Sequence, residues 1–255
     1  MSNKREREKR REQRLQEETR VDSGERRARL LQIGAGAVFL ALVAVVILIV
    51  ASSGGDSGGD AENLQEVSAV DSLVSGAPQT GMVLGKPEAK VELIEFGDLQ
   101  CPVCKGYSED ILPQVIENKV DNGEAKIAFK NFTIIGEQSE PAGAAALAAG
   151  NQGRGWNYLE LFYRNQGEEN SGYADDNFLT AVAEASGVKD IAQWNNNRKS
   201  AKTTGEVKET TEQAQTYGFS GTPSFAIKGP STNGIELLGN LSTPEEFESA
   251  IDEAG

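Results

Sequence analysis

Hydrophobic and polar positions divide this chain into stretches of different character. Residues 1–29 alternate charges of both signs, as in Lys4-Arg5-Glu6-Arg7-Glu8-Lys9, without an apolar stripe. They cannot bury a core and read as a solvated helix or a disordered tail. From Leu30 to Ala51 the pattern inverts: aliphatic and small residues fill the run, and Gln32 is its single strongly polar side chain. About 20 such residues span the hydrocarbon core of a bilayer as a helix, so residues 30–51 are expected to be a transmembrane helix. Ser52-Ser53-Gly54-Gly55-Asp56 opens a flexible linker. Residues 61–84 have only weak periodicity, which extends the expected linker over 52–84 and leaves 85–255 as the folded domain.

Within that domain the period switches repeatedly. Val91–Phe96 predicts a strand that stops at Gly97-Asp98, followed by a helix from Cys101 to about Lys119. Lys126–Phe132 predicts a second strand. From Glu140 to about Tyr217 the chain reads as mainly helical, including the alanine-rich run 142–149 and an aromatic stripe at Trp156, Leu159, Phe162 and Tyr163. A stripe at this spacing is expected to be core. Ser224–Lys228 and Gly234–Leu238 predict a hairpin. Thr243-Pro244-Glu245-Glu246 predicts a capped helix start. The order is strand, helix, strand, helical block, strand, strand, helix, an α/β class.

Charge orients this plan. The formal net charge is −14, yet residues 1–30 hold eleven Lys and Arg against seven Asp and Glu. No further Lys or Arg appears until Lys86. That bias predicts a cytoplasmic N-terminus and an extracytoplasmic domain. A cleaved signal peptide is the alternative, but its charged region and apolar run are both normally shorter. The acidic remainder speaks against a nucleic-acid partner.

The chain has two cysteines and no histidine. Catalysis that needs an imidazole base is excluded, and a tetrahedral zinc site lacks half its ligands, so no metal is expected. The cysteines form Cys101-Pro102-Val103-Cys104, directly after a strand and opening a helix. Residues three apart are neighbours on a helix surface, so the sulfurs can close a short disulfide. The unpaired N–H groups of the helix start favour a thiolate at the first position. Cys101 is expected to be the exposed, attacking thiolate, and Cys104 the inner, resolving thiol.

Glu95-Phe96-Gly97-Asp98-Leu99-Gln100-Cys101-Pro102-Val103-Cys104 resembles the active-site stretch of the DsbA-like branch of the thioredoxin superfamily. Gly221-Thr222-Pro223-Ser224-Phe225 resembles its second signature, and the helical block at about 140–217 resembles its insertion. The resemblance covers about Gly85 to Gly255. It implies a thioredoxin fold with an inserted helical subdomain, no cofactor, and disulfide exchange with client proteins held near Pro102, Val103, Thr222 and Pro223. It also implies a cis Thr222–Pro223 bond, where an ordinary trans proline is the alternative. Glu95 matches the acidic residue beneath the dithiol, a candidate for proton transfer to Cys104; a solvated strand-end charge is the bland reading. Strand alternation puts Glu95 with Leu93, and Phe96 with Ile94. Lys130 on the next strand is its candidate partner. Val103 offers the thiolate no polar donor, so the helix start is expected to supply most of its stabilisation. The potential is then expected to be less oxidising than the roughly −120 mV at the family's extreme.

The reading that follows is an extracytoplasmic disulfide oxidase acting on exported proteins with free thiols. The resemblance implies reoxidation by a quinone-linked membrane protein, DsbB-like or vitamin-K-epoxide-reductase-like. A reductase or isomerase using the same cysteines, and a client-binding module without turnover, are the alternatives.

Overall fold

The computed structural model describes residues 64–255. The charged tail at 1–29, the apolar run at 30–51 and most of the expected linker lie outside the described residues. Among those described, no helix is long and apolar enough to cross a membrane.

The fold begins earlier than the periodicity indicates. Helix α1 (Val67–Val74) buries Val70 and Val74. The two-residue strands β1 (Gln79–Thr80) and β2 (Val83–Leu84) follow it. The linker expected to run to residue 84 therefore gives way to folded chain by Val67. Two-residue strands are too short to show alternation, which is why the sequence pattern hides them.

Six strands form one sheet in the order β1-β2-β4-β3-β5-β6. Its centre is β3 (Val91–Gly97), parallel to β4 (Ala125–Asn131) and antiparallel to β5 (Ser224–Lys228). The expected hairpin forms between β5 and β6 (Glu236–Leu237). Leu93 and Val91 point into the larger core, with Ile127 and Phe129, while Ile94 and Phe96 join a smaller core with Ala128 and Phe132 on the opposite face.

The helix after the dithiol is shorter than expected. α2 spans Pro102–Asp110, a single turn α3 covers Leu112–Val115, and a π-helical turn follows at Ile116–Val120. Pro113 is the cause: it has no N–H to offer Glu109 and its ring crowds that carbonyl. The chain bends at Ile111, whose N–H still donates to Tyr107 O at 3.1 Å.

The helical block lies between β4 and β5 as expected. It comprises α4 (Ser139–Gly150), α5 (Gly155–Arg164), α6 (Asp176–Ala185), α7 (Ile191–Arg198) and α8 (Ala201–Thr216). The last three of these helices are capped by Asp175, Asp190 and Ser200. The alanines of α4 are buried nearly throughout, so neighbouring helices approach closely, and Trp194 Nε1 donates to Ala145 O at 2.9 Å. Trp156, Leu159, Phe162 and Tyr163 are all buried, as a core stripe requires. The last helix, α9 (Pro244–Ala254), carries the expected capping box of Thr243 and Glu246.

Candidate active site

Cys101 is the N-cap of α2, in extended conformation (φ −75°, ψ 120°), and Pro102 occupies the first turn where no N–H is needed. Its own N–H donates to Asp98 O at 3.0 Å. Cys101 is only 3% exposed and Cys104 0%. The expectation of an exposed Cys101 is thus corrected. The loop before β5 covers it, and its thiol donates to the Thr222 carbonyl at 3.3 Å. Val103, by contrast, is 64% exposed. The Thr222–Pro223 bond is cis. Val103, Phe219, Thr222, Pro223, Leu238 and Leu241 line a groove of ≈ 500 Å³ beside the dithiol.

The two thiols are held in opposite states. Cys101 is pulled down from 9.0 to about 6, first by the Cys104 thiol donating to it. Burial opposes this, while the backbone N–H groups of Cys104 and Val103 reinforce it. The helix start therefore contributes, but the neighbouring thiol contributes most, a correction to the expected order. Cys104 is pushed up by burial, by its bond to Cys101 and by the charge of Glu95. Such a pair favours a thiolate at Cys101 and a protonated thiol at Cys104.

Glu95 lies on the Leu93 face of β3 and is 1% exposed, which excludes the solvated strand-end reading. Its pKa is raised well above the carboxylate range by burial, then by Glu160 and Cys101. Gly97 makes room for it: a Cβ there would come within 2.6 Å of the Phe129 ring and 3.0 Å of Glu95 Oε1.

Lys130 does not join this group. The parallel register pairs Glu95 with Phe129 and Phe96 with Lys130, so Lys130 faces away from the dithiol. Its Nζ donates to Gln213 Oε1 at 2.6 Å and sits 5.7 Å from the Phe96 ring centroid. It is therefore neither Glu95's partner nor a proton-transfer group of the dithiol.

Several residues that the sequence reading passed over hold the site. Asp98, fully buried, accepts from Gln100 N–H at 2.9 Å through Oδ1, and from Ile134 and Ile135 N–H at 2.8 and 3.0 Å through Oδ2. It ties the loop before the dithiol to the loop after β4. Gln166, just beyond α5, donates to Leu99 O at 2.6 Å and Cys101 O at 3.1 Å. Gln100 donates to Ser139 Oγ at 3.0 Å and accepts from Asn170 N–H at 3.1 Å. The helical block thus clamps the backbone that presents Cys101. Glu160, on α5, is a further buried acid, and its charge acts on Glu95. Its only signal in the sequence is a carboxylate amid the apolar run Trp156–Tyr163.

A family model described as Thioredoxin matches residues 77–253. A probable disulfide bond formation protein D of Bacillus cereus is 29% identical over 181 residues, covering 69% of this chain and 79% of the relative. Disulfide bond formation protein D of Bacillus subtilis is 24% identical over 183 residues, covering 70% and 80%. Among solved structures, oxidised BdbD from Bacillus subtilis shares the fold at a TM-score of 0.60 and 22% identity, over 71% of this chain and 94% of that one. Alpha-DsbA1 of Wolbachia pipientis does so at 0.58 and 20%, over 68% and 89%. The chain that carries this dithiol is thus similar in sequence to proteins named for disulfide bond formation. The chain belongs to the thioredoxin family and is a thiol–disulfide oxidoreductase.

Proposed function

We propose that the chain is a membrane-anchored oxidase that introduces disulfides into exported proteins outside the cytoplasm. The observation that carries the direction is the low proton affinity of Cys101, at about 6. A stabilised thiolate favours the reduced enzyme, so the disulfide form is the stronger oxidant. The names of the Bacillus relatives agree with this direction.

A client thiolate attacks Cys101 Sγ of the disulfide, and Cys104 leaves with the electron pair and takes up a proton. A second client thiolate then attacks the client sulfur of the mixed disulfide and expels Cys101 as a thiolate. Two electrons pass from client to enzyme, and one client disulfide forms. Glu95 is the proton donor nearest in chemistry to Cys104, because burial keeps it protonated. Val103, Thr222 and Pro223 border the groove in which an extended client lies, and exposed Pro102 adjoins Val103 in the chain. A quinone-linked membrane protein of the DsbB or vitamin-K-epoxide-reductase type returns the pair to the disulfide. The apolar run 30–51 supports anchoring, with 1–29 cytoplasmic and the domain outside.

Alkylation trapping in intact cells tests direction and location together. An oxidase holds Cys101 and Cys104 mostly as the disulfide and exposes them to a membrane-impermeant reagent after reduction. A mostly reduced pair overturns the direction; protection from the reagent overturns the location.

A further inference from the structure

Cys104 must gain and lose a proton in every cycle, yet it is 0% exposed and Glu95 beneath it is 1% exposed. Neither exchanges directly with water. We infer that Glu160 is the outer member of a two-carboxylate relay that passes this proton between Glu95 and the surface. The inference rests on Cys104 being the inner, resolving thiol.

The geometry runs along the seam between α2 and α5. Ser108 stands four residues after Cys104, on the same face of α2. Its hydroxyl donates to Glu160 Oε2 at 2.8 Å. Glu160 is 0% exposed, and its other oxygen, Oε1, has no hydrogen-bond partner. Glu95 Oε1 and the Tyr107 hydroxyl are likewise buried without a partner. Tyr107 adjoins Ser108 in the chain, and its hydroxyl feels the charge of both Glu95 and Glu160. Beyond Glu160 the path reaches the rim. Arg164 lies 3.7 Å from Glu160 Oε2 and 3.5 Å from Glu66, whose side chain is 55% exposed.

Buried carboxylates without a full set of partners are unfavourable when charged. Keeping two of them in one seam, with Arg164 paired to Glu160 rather than to Glu95, is a poor structural solution unless a proton is meant to move. Glu160 titrates at about 7, raised chiefly by burial, held back by Ser108 and Arg164, and raised slightly by Glu109. The groups facing it are therefore Glu95 from β3, Tyr107, Ser108 and Glu109 from α2, and Arg164 from its own helix. A group that titrates near neutrality can donate and accept in one cycle. In the oxidising direction Glu95 gives its proton to the leaving Cys104 thiolate, and Glu160 restores it. Glu160 then recovers a proton from solvent at the Arg164 rim. Glu160 touches no reacting sulfur; it is a positioning residue for the proton.

The test is single-turnover reduction of the disulfide form of the full chain by dithiothreitol from pH 5 to 9. Rates are read by acid quench and thiol alkylation, and corrected for the thiolate fraction of dithiothreitol. The parent rate is expected to fall as pH rises through about 7. Glu160→Gln is expected to lose that inflection and to run about tenfold slower below it, while the Cys101 thiolate absorbance still titrates at about 6. A parent-like profile in Glu160→Gln overturns the relay, because a purely structural glutamate has no inflection to lose. Ser108→Ala keeps the carboxylate but removes a bond that favours its charged form, so the inflection is expected to move upward. An unmoved inflection overturns the relay even if Glu160→Gln does not fold. Absence of Cys101-dependent exchange in the parent would instead defeat the proposed function itself.

Discussion

The two faces of the central sheet treat charge in opposite ways. On the Leu93 face, α2 and α5 enclose Cys104, Glu95, Tyr107 and Glu160, all buried and with few partners. On the Ile94 face, Lys130 lies over Phe96, bonds to Gln213 and borders an open groove of ≈ 880 Å³. A one-residue step along β3 or β4 separates the two environments, because alternate residues point to opposite faces. The first face raises the proton affinity of Glu95 and Glu160 by denying them water. The second leaves its lysine a polar partner and an open edge. The groups proposed to move protons thus lie on one side of the sheet, beneath the dithiol.

The hardest test of that division removes the reacting sulfur. Cys101→Ser is expected to lower disulfide exchange with a dithiol peptide by about 10³-fold or more. Substantial residual exchange would mean that Cys104, or another site, reacts on its own. Next comes the support for the same face. Asp98→Ala leaves the N–H groups of Gln100, Ile134 and Ile135 without their acceptor. An unpaired buried donor costs roughly 1–3 kcal/mol; the Gln100 N–H is buried and the other two are part-buried, so a loss of about 2 kcal/mol or more is expected, a fall in Tm of roughly 4–8 °C. A thermal melt within about 2 °C of the parent would show that the loops hold themselves.

Glu95→Gln sharpens the comparison through pH. The folded protein holds Glu95's proton at pH values where the unfolded chain has already lost it. Stability from this group is therefore full below the unfolded carboxylate range and falls as pH rises toward the raised folded pKa. Glutamine abolishes that dependence. Relative to the parent, the variant is expected to gain stability as pH rises from 4 to 8, while single-turnover exchange slows by about tenfold. Parallel stability curves would show that Glu95 is charged in the folded state.

Much of this was legible in the sequence because it is local. The dithiol at a helix start depends on a strand and a helix adjacent in the chain. The Thr222–Pro223 loop, the capping box at Thr243 and the helical block are local patterns too. Pro113 was equally legible, and a helix drawn through it to Lys119 ignored the missing donor. Other features are long-range facts. Alternation along β4 separates Lys130 from Phe129, but only the pairing of Glu95 with Phe129 decides which of them meets the carboxylate. Glu160 becomes a site residue only when α5 lies against α2 and brings it to Ser108. Asp98 reads as a strand-ending polar residue until the loop after β4 returns to it. Periodicity assigns a side chain to a face; it does not say what covers that face.

The smallest expected effect is the most discriminating for the division between faces. Lys130→Met removes a cation from the neighbouring strand without touching the dithiol face. If Lys130 balanced Glu95, its loss would deepen the burial penalty of the carboxylate and shift the pH dependence of exchange. The register puts it on the far side, where its bond to Gln213 and its place over Phe96 are replaced by apolar contact. Partly exposed contacts of this kind contribute about 1 kcal/mol or less. The expected outcome is a change in stability within that limit, with the Cys101 thiolate still titrating at about 6. The pH–rate profile should overlay the parent's. A shifted profile would mean that charge on the Ile94 face reaches through the sheet to the dithiol, and the two faces would then have to be treated as one electrostatic unit.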